Sequence, residues 1–166
     1  ADEVAHARLA YGLASAYAGR ELGPGPLDVA DLSLSDSRTD AVAHLVSEAC
    51  LGETLGAAEA RVMAERATDP AVAELCVRIA EDEARHAALA WRSLAWFLGD
   101  DAALRKSAAD TLQAAIDEHF ARALPTTESI PGHGLLDTEA RLALHRDTVE
   151  SVVRPCAAAL GLDVVA

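Results

Sequence analysis

The amino-acid sequence predicts an all-α protein, a bundle of long helices, and three observations support that class. Hydrophobic residues make up 51% of the chain but aromatic residues only 4%. Alanine, the residue with the highest helix propensity, dominates the apolar set. Apolar positions recur at spacings of three and four residues, which places them on one face of an α-helix. At 166 residues the chain is long enough for a substantial core, so we treat 1–166 as a single domain.

Charge and hydropathy argue against two classes of partner. The formal net charge of -13 disfavours binding to nucleic acid and to anionic membrane surfaces, because both carry the same sign. No apolar run approaches the length of a membrane span. We therefore expect no nucleic-acid partner and no membrane insertion, whereas cations are compatible with the charge. The compartment is left open between cytoplasmic and exported.

The first predicted helix, residues 1–19, begins with a motif that the chain later repeats. Asp2-Glu3-Val4-Ala5-His6 matches Asp82-Glu83-Ala84-Arg85-His86 in its acids and its histidine. Residues three apart on a helix share a face, so each Glu and His can direct two ligand atoms to one place. One such pair arises often by chance, whereas two copies in matching apolar frames indicate a paired metal site. The face expected to point at the core in this first helix comprises Glu3, His6, Ala10, Leu13 and Tyr17.

Residues 20–38, rich in glycine, proline and serine, are predicted to form a long connection to a second helix at 39–67. The clearest apolar stripe of that helix contains one carboxylate, Glu53. Glu53 precedes the following turn by about as much as Glu83 and His86 follow it, roughly 23 Å at 1.5 Å per residue. Antiparallel packing would therefore bring these three side chains to one level. Glu48 lies on a neighbouring stripe, and we expect it beside the site or at the surface.

The third predicted helix, residues 70–98, carries the second copy of the motif. Pro70 fits its first turn, with Asp69 as the cap. Glu83 and His86 fall on a stripe of apolar residues that should face the core. Burying a bare carboxylate costs several kcal/mol, so Glu83 must be paired, protonated or metal-bound.

Two further helices, at 102–124 and 138–160, are predicted to form a C-terminal hairpin over 102–160 that covers the bundle or makes an oligomer interface. Its acids and histidines lack the Glu-then-His spacing and are predicted to be surface residues; they are Glu118, His119, His145 and Glu150. The three cysteines, Cys50, Cys76 and Cys156, have no zinc-like spacing and are predicted to be buried free thiols. A disulfide between Cys50 and Cys156 is the alternative for an exported protein.

The paired motifs resemble those of the ferritin-like di-iron carboxylate superfamily, in which two helices of a four-helix bundle carry Glu-x-x-His and two others supply one Glu each. The runs from Glu48 to Leu55 and from Ile79 to His86 are similar to uncharacterised bacterial ferritin-like domain proteins. The likeness covers nearly the whole chain. It implies an antiparallel ferritin-like bundle with a long crossover and two extra C-terminal helices.

On this resemblance, the implied metal ligands are Glu3, His6, Glu53, Glu83 and His86. Asp2 and Asp82 would accept a hydrogen bond from the non-ligating nitrogen of a ligand His on the opposite helix, which orients the ring and raises its basicity. The competing interpretation is a solvated acid. The family pattern also expects a helix before Ala1 that carries one more Glu. On this pattern, that helix is removed, or it is supplied by another chain, or the site operates with one ligand fewer. A homo-oligomer is a further alternative for the partners of this chain.

Carboxylate-rich ligation with two imidazoles suits iron or manganese better than zinc, so two Fe ions are expected, with Mn as the alternative. Three functions are compatible with such a site. The first is an oxidase or oxygenase that uses dioxygen or peroxide on an unknown small-molecule substrate. The second is iron binding, ferroxidation and storage. The third is a structural helical bundle without metal.

Overall fold

The chain is all-helical, as predicted, in the computed structural model, which describes residues 2–26, 37–122 and 126–165. These residues contain five long helices and a short 3-10 helix, Pro131–His133. Helix α1 is Asp2–Ala18, α3 is Pro70–Leu98 and α4 is Ala102–Ala121. Helix α2 joins an α-helical start, a π-helical middle and an α-helical end (Arg38–His44, Leu45–Glu53, Thr54–Arg66), and α5 does likewise (Thr138–Thr148, Val149–Val153, Arg154–Ala159).

The predicted helix boundaries agree with these bounds to within one residue, apart from one end. The helix predicted over 102–124 ends at Ala121. Much of the predicted connection 20–38 lies outside the described residues. Asp69 caps α3 as predicted, because its side chain accepts hydrogen bonds from the backbone N–H groups of Ala71 and Val72. Gly99, with φ of 48°, ends the same helix in a conformation that favours glycine.

The apolar core is built by α2, α3, α4 and α5. Its most deeply buried members include Val46 on α2, Leu94 on α3, Leu112 on α4 and Val153 on α5. The C-terminal helices were predicted to cover the bundle or form an interface, whereas here they supply about half of the main core. That prediction was too narrow, because the valines and alanines of α5 pack into the same cluster as the motif helix.

Helix α1 lies outside this core and packs antiparallel along α3. Contacts of residue 2 with 86, 6 with 82 and 17 with 69 fix that direction. The α1 face predicted to point at the core does so only at His6, since Glu3, Ala10 and Tyr17 are exposed and Leu13 is half-buried. The prediction was wrong for this face because α1 makes its main contacts with one helix instead of two.

The π-helical segment of α2 changes which residues face the core. In an uninterrupted α-helix, Val42, Val46, Ala49 and Glu53 share one face. A π-helix bonds each residue five positions back, so the buried positions move from Val46 to Cys50 and Leu51 and then to Leu55. Glu53, the last residue of the segment, therefore stands at the edge of the core with its side chain 32% exposed. Among the described helices, none is long and apolar enough to cross a bilayer.

Candidate metal centre

The two copies of the motif meet across the α1–α3 contact in a reciprocal arrangement. Nε2 of His6 lies 2.8 Å from Oδ2 of Asp82, and Nε2 of His86 lies 3.1 Å from Oδ2 of Asp2. Each imidazole thus uses the same ring nitrogen to bond the aspartate of the other copy. The pairing follows from the antiparallel register, which places each Asp opposite the His of the partner helix.

The other ring nitrogens, both Nδ1, face the two motif glutamates. His6 Nδ1 is 3.4 Å from Oε2 of Glu3 and 3.3 Å from Oε1 of Glu83. His86 Nδ1 is 3.5 Å from Oε1 of Glu3 and 3.2 Å from Oε2 of Glu83. Each glutamate therefore presents one oxygen to each histidine. The result is two adjacent donor sets that share both carboxylates.

Glu53 joins one of these sets. Its Oε2 lies 4.0 Å from Nδ1 of His86, and its carboxyl shares a hydrogen bond with that of Glu83. Burial raises the pKa of Glu53 to about 7, and the hydrogen bond with Glu83 adds to this effect. In the described parts of the chain, His6 Nδ1 pairs with Glu3 and Glu83 alone. The donor set around His6 therefore contains one carboxylate fewer than the set around His86.

Burial is uneven across the centre. His6, Asp82 and Glu83 are buried, with at most 9% of each residue exposed, whereas the side chain of Glu3 is 69% exposed. The buried carboxylates are tolerated because both are paired with imidazoles, and Asp82 also contacts Arg85. The centre is therefore enclosed on its α3 side and open to solvent on its α1 side.

The charges around the imidazoles favour their protonated forms. Burial opposes protonation of His6, but its hydrogen bond to Asp82 and the charges of Glu3 and Glu83 outweigh this, and its pKa is raised. The hydrogen bond to Asp2 is the main cause of the raised pKa of His86. The hydrogen bond from His6 also lowers the pKa of Asp82. A metal ion replaces such protons, because ligating imidazoles must be neutral at the bound nitrogen.

The donor spacing fits metal coordination. Adjacent ligand atoms bound at about 2.1 Å from one ion lie about 3 Å apart, close to the 3.2–3.5 Å between the Nδ1 atoms and the shared carboxylates. Donor atoms of Glu3, Glu83 and His86 all lie within 4.8 Å of one another. Asp2 and Asp82 contact the opposite ring nitrogens, as carboxylates that orient a ligand imidazole do in metal sites.

Of the eight residues singled out from the sequence, seven come together here: Asp2, Glu3, His6, Glu53, Asp82, Glu83 and His86. Glu48 is exposed and lines a separate cavity between α2, α4 and α5. Glu48 and Glu53 therefore lie on different sides of α2.

Sequence reasoning missed a second polar cluster. His145 was predicted to be a surface residue, but it is only 5% exposed and contacts His119 and Glu59. The prediction was wrong because His145, Val149 and Val153 are spaced by four and lie on the buried face of α5. That spacing was available in the sequence, whereas nothing in it pointed to Glu59.

The cysteines carry free thiols, with Cys50 and Cys76 buried and Cys156 half-buried. Burial raises the pKa of Cys50 to about 12, and the nearby Cys156 contributes to the shift. The thiols of Cys50 and Cys156 are therefore protonated at neutral pH.

None of the protein-family models, curated proteins or solved structures compared with this chain matches it.

Proposed function

We propose that this chain is a ferritin-like di-metal carboxylate protein that binds two iron ions between α1, α2 and α3 and uses dioxygen or peroxide as oxidant. The reciprocal arrangement of the two motifs is the observation that carries the proposal. In two unrelated Glu-x-x-His pairs, we would not expect each histidine to bond the aspartate of the other copy across a helix contact. Both copies here do so with the same ring nitrogen.

The donors suit the proposed ions. Glu3 and Glu83 each offer one oxygen to each histidine set, which is the role of a carboxylate that bridges two ions. Three carboxylates with two imidazoles favour iron or manganese over zinc, which takes four ligands and accepts thiolates. When bound, a pair of such ions would supply the electrons that reduce dioxygen or peroxide.

The protein residues have separate tasks in this proposal. Asp82 and Asp2 keep the proton on Nε2 of His6 and of His86, so that each Nδ1 presents a lone pair. Glu53 holds a proton against Glu83 near neutral pH and must release it to become a ligand. The exposed side at Glu3 gives an oxidant or a small-molecule substrate access.

The proposal is tested by adding Fe(II) to the metal-free chain without oxygen, admitting air and following the near-ultraviolet absorption of ferric carboxylate species. We expect rapid oxidation by the unaltered chain and none above the protein-free rate for Glu83→Ala. Glu81→Ala removes an exposed carboxylate from the same helix and should oxidise like the unaltered chain. Equal rates of Fe(II) oxidation for Glu83→Ala and Glu81→Ala would contradict the proposal. The metal-free structural bundle would then be the favoured alternative.

The same experiment separates oxidation chemistry from storage. A storage protein accumulates iron far beyond the capacity of the five donor residues, whereas an oxidase or oxygenase stops at two ions per chain. We expect iron content after repeated additions to level off at two ions. Continued uptake would favour the storage alternative.

A further inference from the structure

A second histidine pair lies between α2, α4 and α5, apart from the residues of the α1–α3 centre. Nε2 of His119 is 3.0 Å from Nδ1 of His145. Nε2 of His145 is 3.3 Å from Oε2 of Glu59, whose other oxygen lies 2.8 Å from Nε of Arg141. Neither nitrogen is well aligned with its oxygen, so both are close polar contacts rather than directed hydrogen bonds.

We propose that His119 and His145 form a binding site for a divalent transition-metal ion of the copper and zinc type. An ion about 2.1 Å from each of two nitrogens holds them about 3.0 Å apart in square-planar coordination, as for Cu(II), and about 3.4 Å apart in tetrahedral coordination, as for Zn(II). The two imidazoles already have the shorter of these separations. A neutral N–H···N hydrogen bond has the same length, and a metal ion would replace its single proton.

Glu59 determines which nitrogen of His145 is available. The carboxylate favours a proton on Nε2 of His145, which leaves the lone pair on Nδ1, toward His119. A ligating histidine commonly has a carboxylate at its other ring nitrogen. His6 and His86 show the same pattern at the first centre, with Nδ1 inward and Nε2 toward an aspartate. Arg141 in turn pairs with Glu59 and holds it in place.

The surroundings leave room for an ion with water ligands. Both histidines line a cavity of about 400 Å³, and Glu48 and Glu118 are further members of its wall. In the described part of the chain, no third His, Cys or carboxylate donor converges on the two nitrogens. Water therefore completes the coordination. Two imidazoles without a carboxylate ligand favour copper and zinc over iron and manganese.

The test is a Cu(II) titration of a chain that carries His6→Ala and His86→Ala, which removes both imidazoles from the first centre. Electron paramagnetic resonance should show a bound Cu(II) with nitrogen coupling from two imidazoles. Adding His119→Ala should eliminate that signal, whereas His44→Ala, which removes an exposed imidazole on α2, should leave it unchanged. Zn(II) should compete for the same site only in large excess, because imidazole sites bind Cu(II) more tightly. Absence of the signal, or its survival in the His119→Ala chain, would overturn the proposal.

Two further measurements keep the test decisive if the combined variants fold poorly. In the otherwise unaltered chain, His119→Ala should lower the Cu(II) bound at saturation by one equivalent. Glu59→Gln should weaken copper binding about 10–100-fold while two-nitrogen coupling persists, because it removes the carboxylate that orients His145 but no ligand. Unchanged copper stoichiometry in His119→Ala would contradict the site even where the first centre binds iron as proposed.

Discussion

At the scale of single residues, the chemistry of the α1–α3 centre depends on which nitrogen of each imidazole carries the proton. Asp82 and Asp2 accept from Nε2 and leave Nδ1 for the shared glutamates. In the proposed site, each aspartate acts through a histidine and offers no atom to the ion itself. Its contribution is therefore separable from that of the ligands.

Replacing Asp82 by Asn should weaken metal binding without removing a ligand. The amide can donate to Nε2 of His6 and so stabilise the wrong tautomer. We expect affinity for Mn(II) to fall about 10–100-fold, measured by calorimetric titration. Asp110→Asn, which alters an exposed carboxylate paired with Lys106, is the control and should bind Mn(II) normally. An affinity for Asp82→Asn equal to that of the control would show that the contact has no part in binding.

The raised pKa of Glu53 predicts a specific pH dependence for the stability of the metal-free chain. Its folded-state pKa of about 7 lies above the ordinary value of 4.5, so the folded chain holds the proton more tightly than the unfolded chain. Its stabilising effect is therefore complete below pH 4.5 and is lost as pH rises through about 7. The raised pKa values of His6 and His86 act in the same direction above pH 6.5.

We expect the metal-free chain to lose thermal stability between pH 5.5 and 8, measured by circular dichroism. Glu53→Gln mimics the protonated carboxyl and should make this decline less steep. Affinity for Mn(II) should show the opposite trend and rise with pH in the unaltered chain, because binding displaces these protons. A steeper decline in the Glu53→Gln chain would contradict the assigned proton.

At the scale of helices, α1 carries half of the centre but is held mainly by α3. Its buried surface is small, since His6 is its one buried residue among those described, while Val4, Leu9 and Tyr11 are exposed. Elements with few buried contacts open with low free energy. We expect α1 to exchange its amide hydrogens faster than α3 in the metal-free chain.

Metal binding should reverse that difference, because the ions join Glu3 and His6 to Glu83 and His86. Hydrogen exchange followed by mass spectrometry should show Mn(II) slowing exchange more in α1 than in α4, which has no residue in the centre. Protection spread equally over α1 and α4 would indicate general stabilisation in place of a bond between α1 and α3.

The helices also show what could be predicted from the sequence. Periodicity, caps and the repeated motif were sufficient for helix boundaries and for the meeting of Glu3, His6, Glu83 and His86. The π-helical segment of α2 could not be anticipated, because its register depends on packing of Cys50 and Leu51 against other helices. The burial of His145 could have been predicted from its spacing with Val149 and Val153, whereas its contact with Glu59 depends on how α5 packs against α2.

At the scale of the whole molecule, a ligand that binds only the folded chain stabilises it by mass action. At a free concentration of one hundred times its Kd, each bound Mn(II) ion should add about 2.7 kcal/mol. For a chain of this size that corresponds to a rise in Tm of roughly 5–11 °C. The chain with His6→Ala and His86→Ala should show no such rise at the same concentration, measured by calorimetry. An equal rise in both chains would place the stabilising ion elsewhere.

The central claim is that both Nδ1 atoms and the two shared glutamates bind a pair of ions. A crystal structure of the chain loaded with Mn(II), with anomalous diffraction recorded at the manganese edge, tests it most directly. We predict two anomalous peaks, one beside Nδ1 of His6 and one beside Nδ1 of His86, with Glu3 and Glu83 touching both. Density at neither position, or ions bound through the Nε2 atoms in place of the aspartates, would contradict the account.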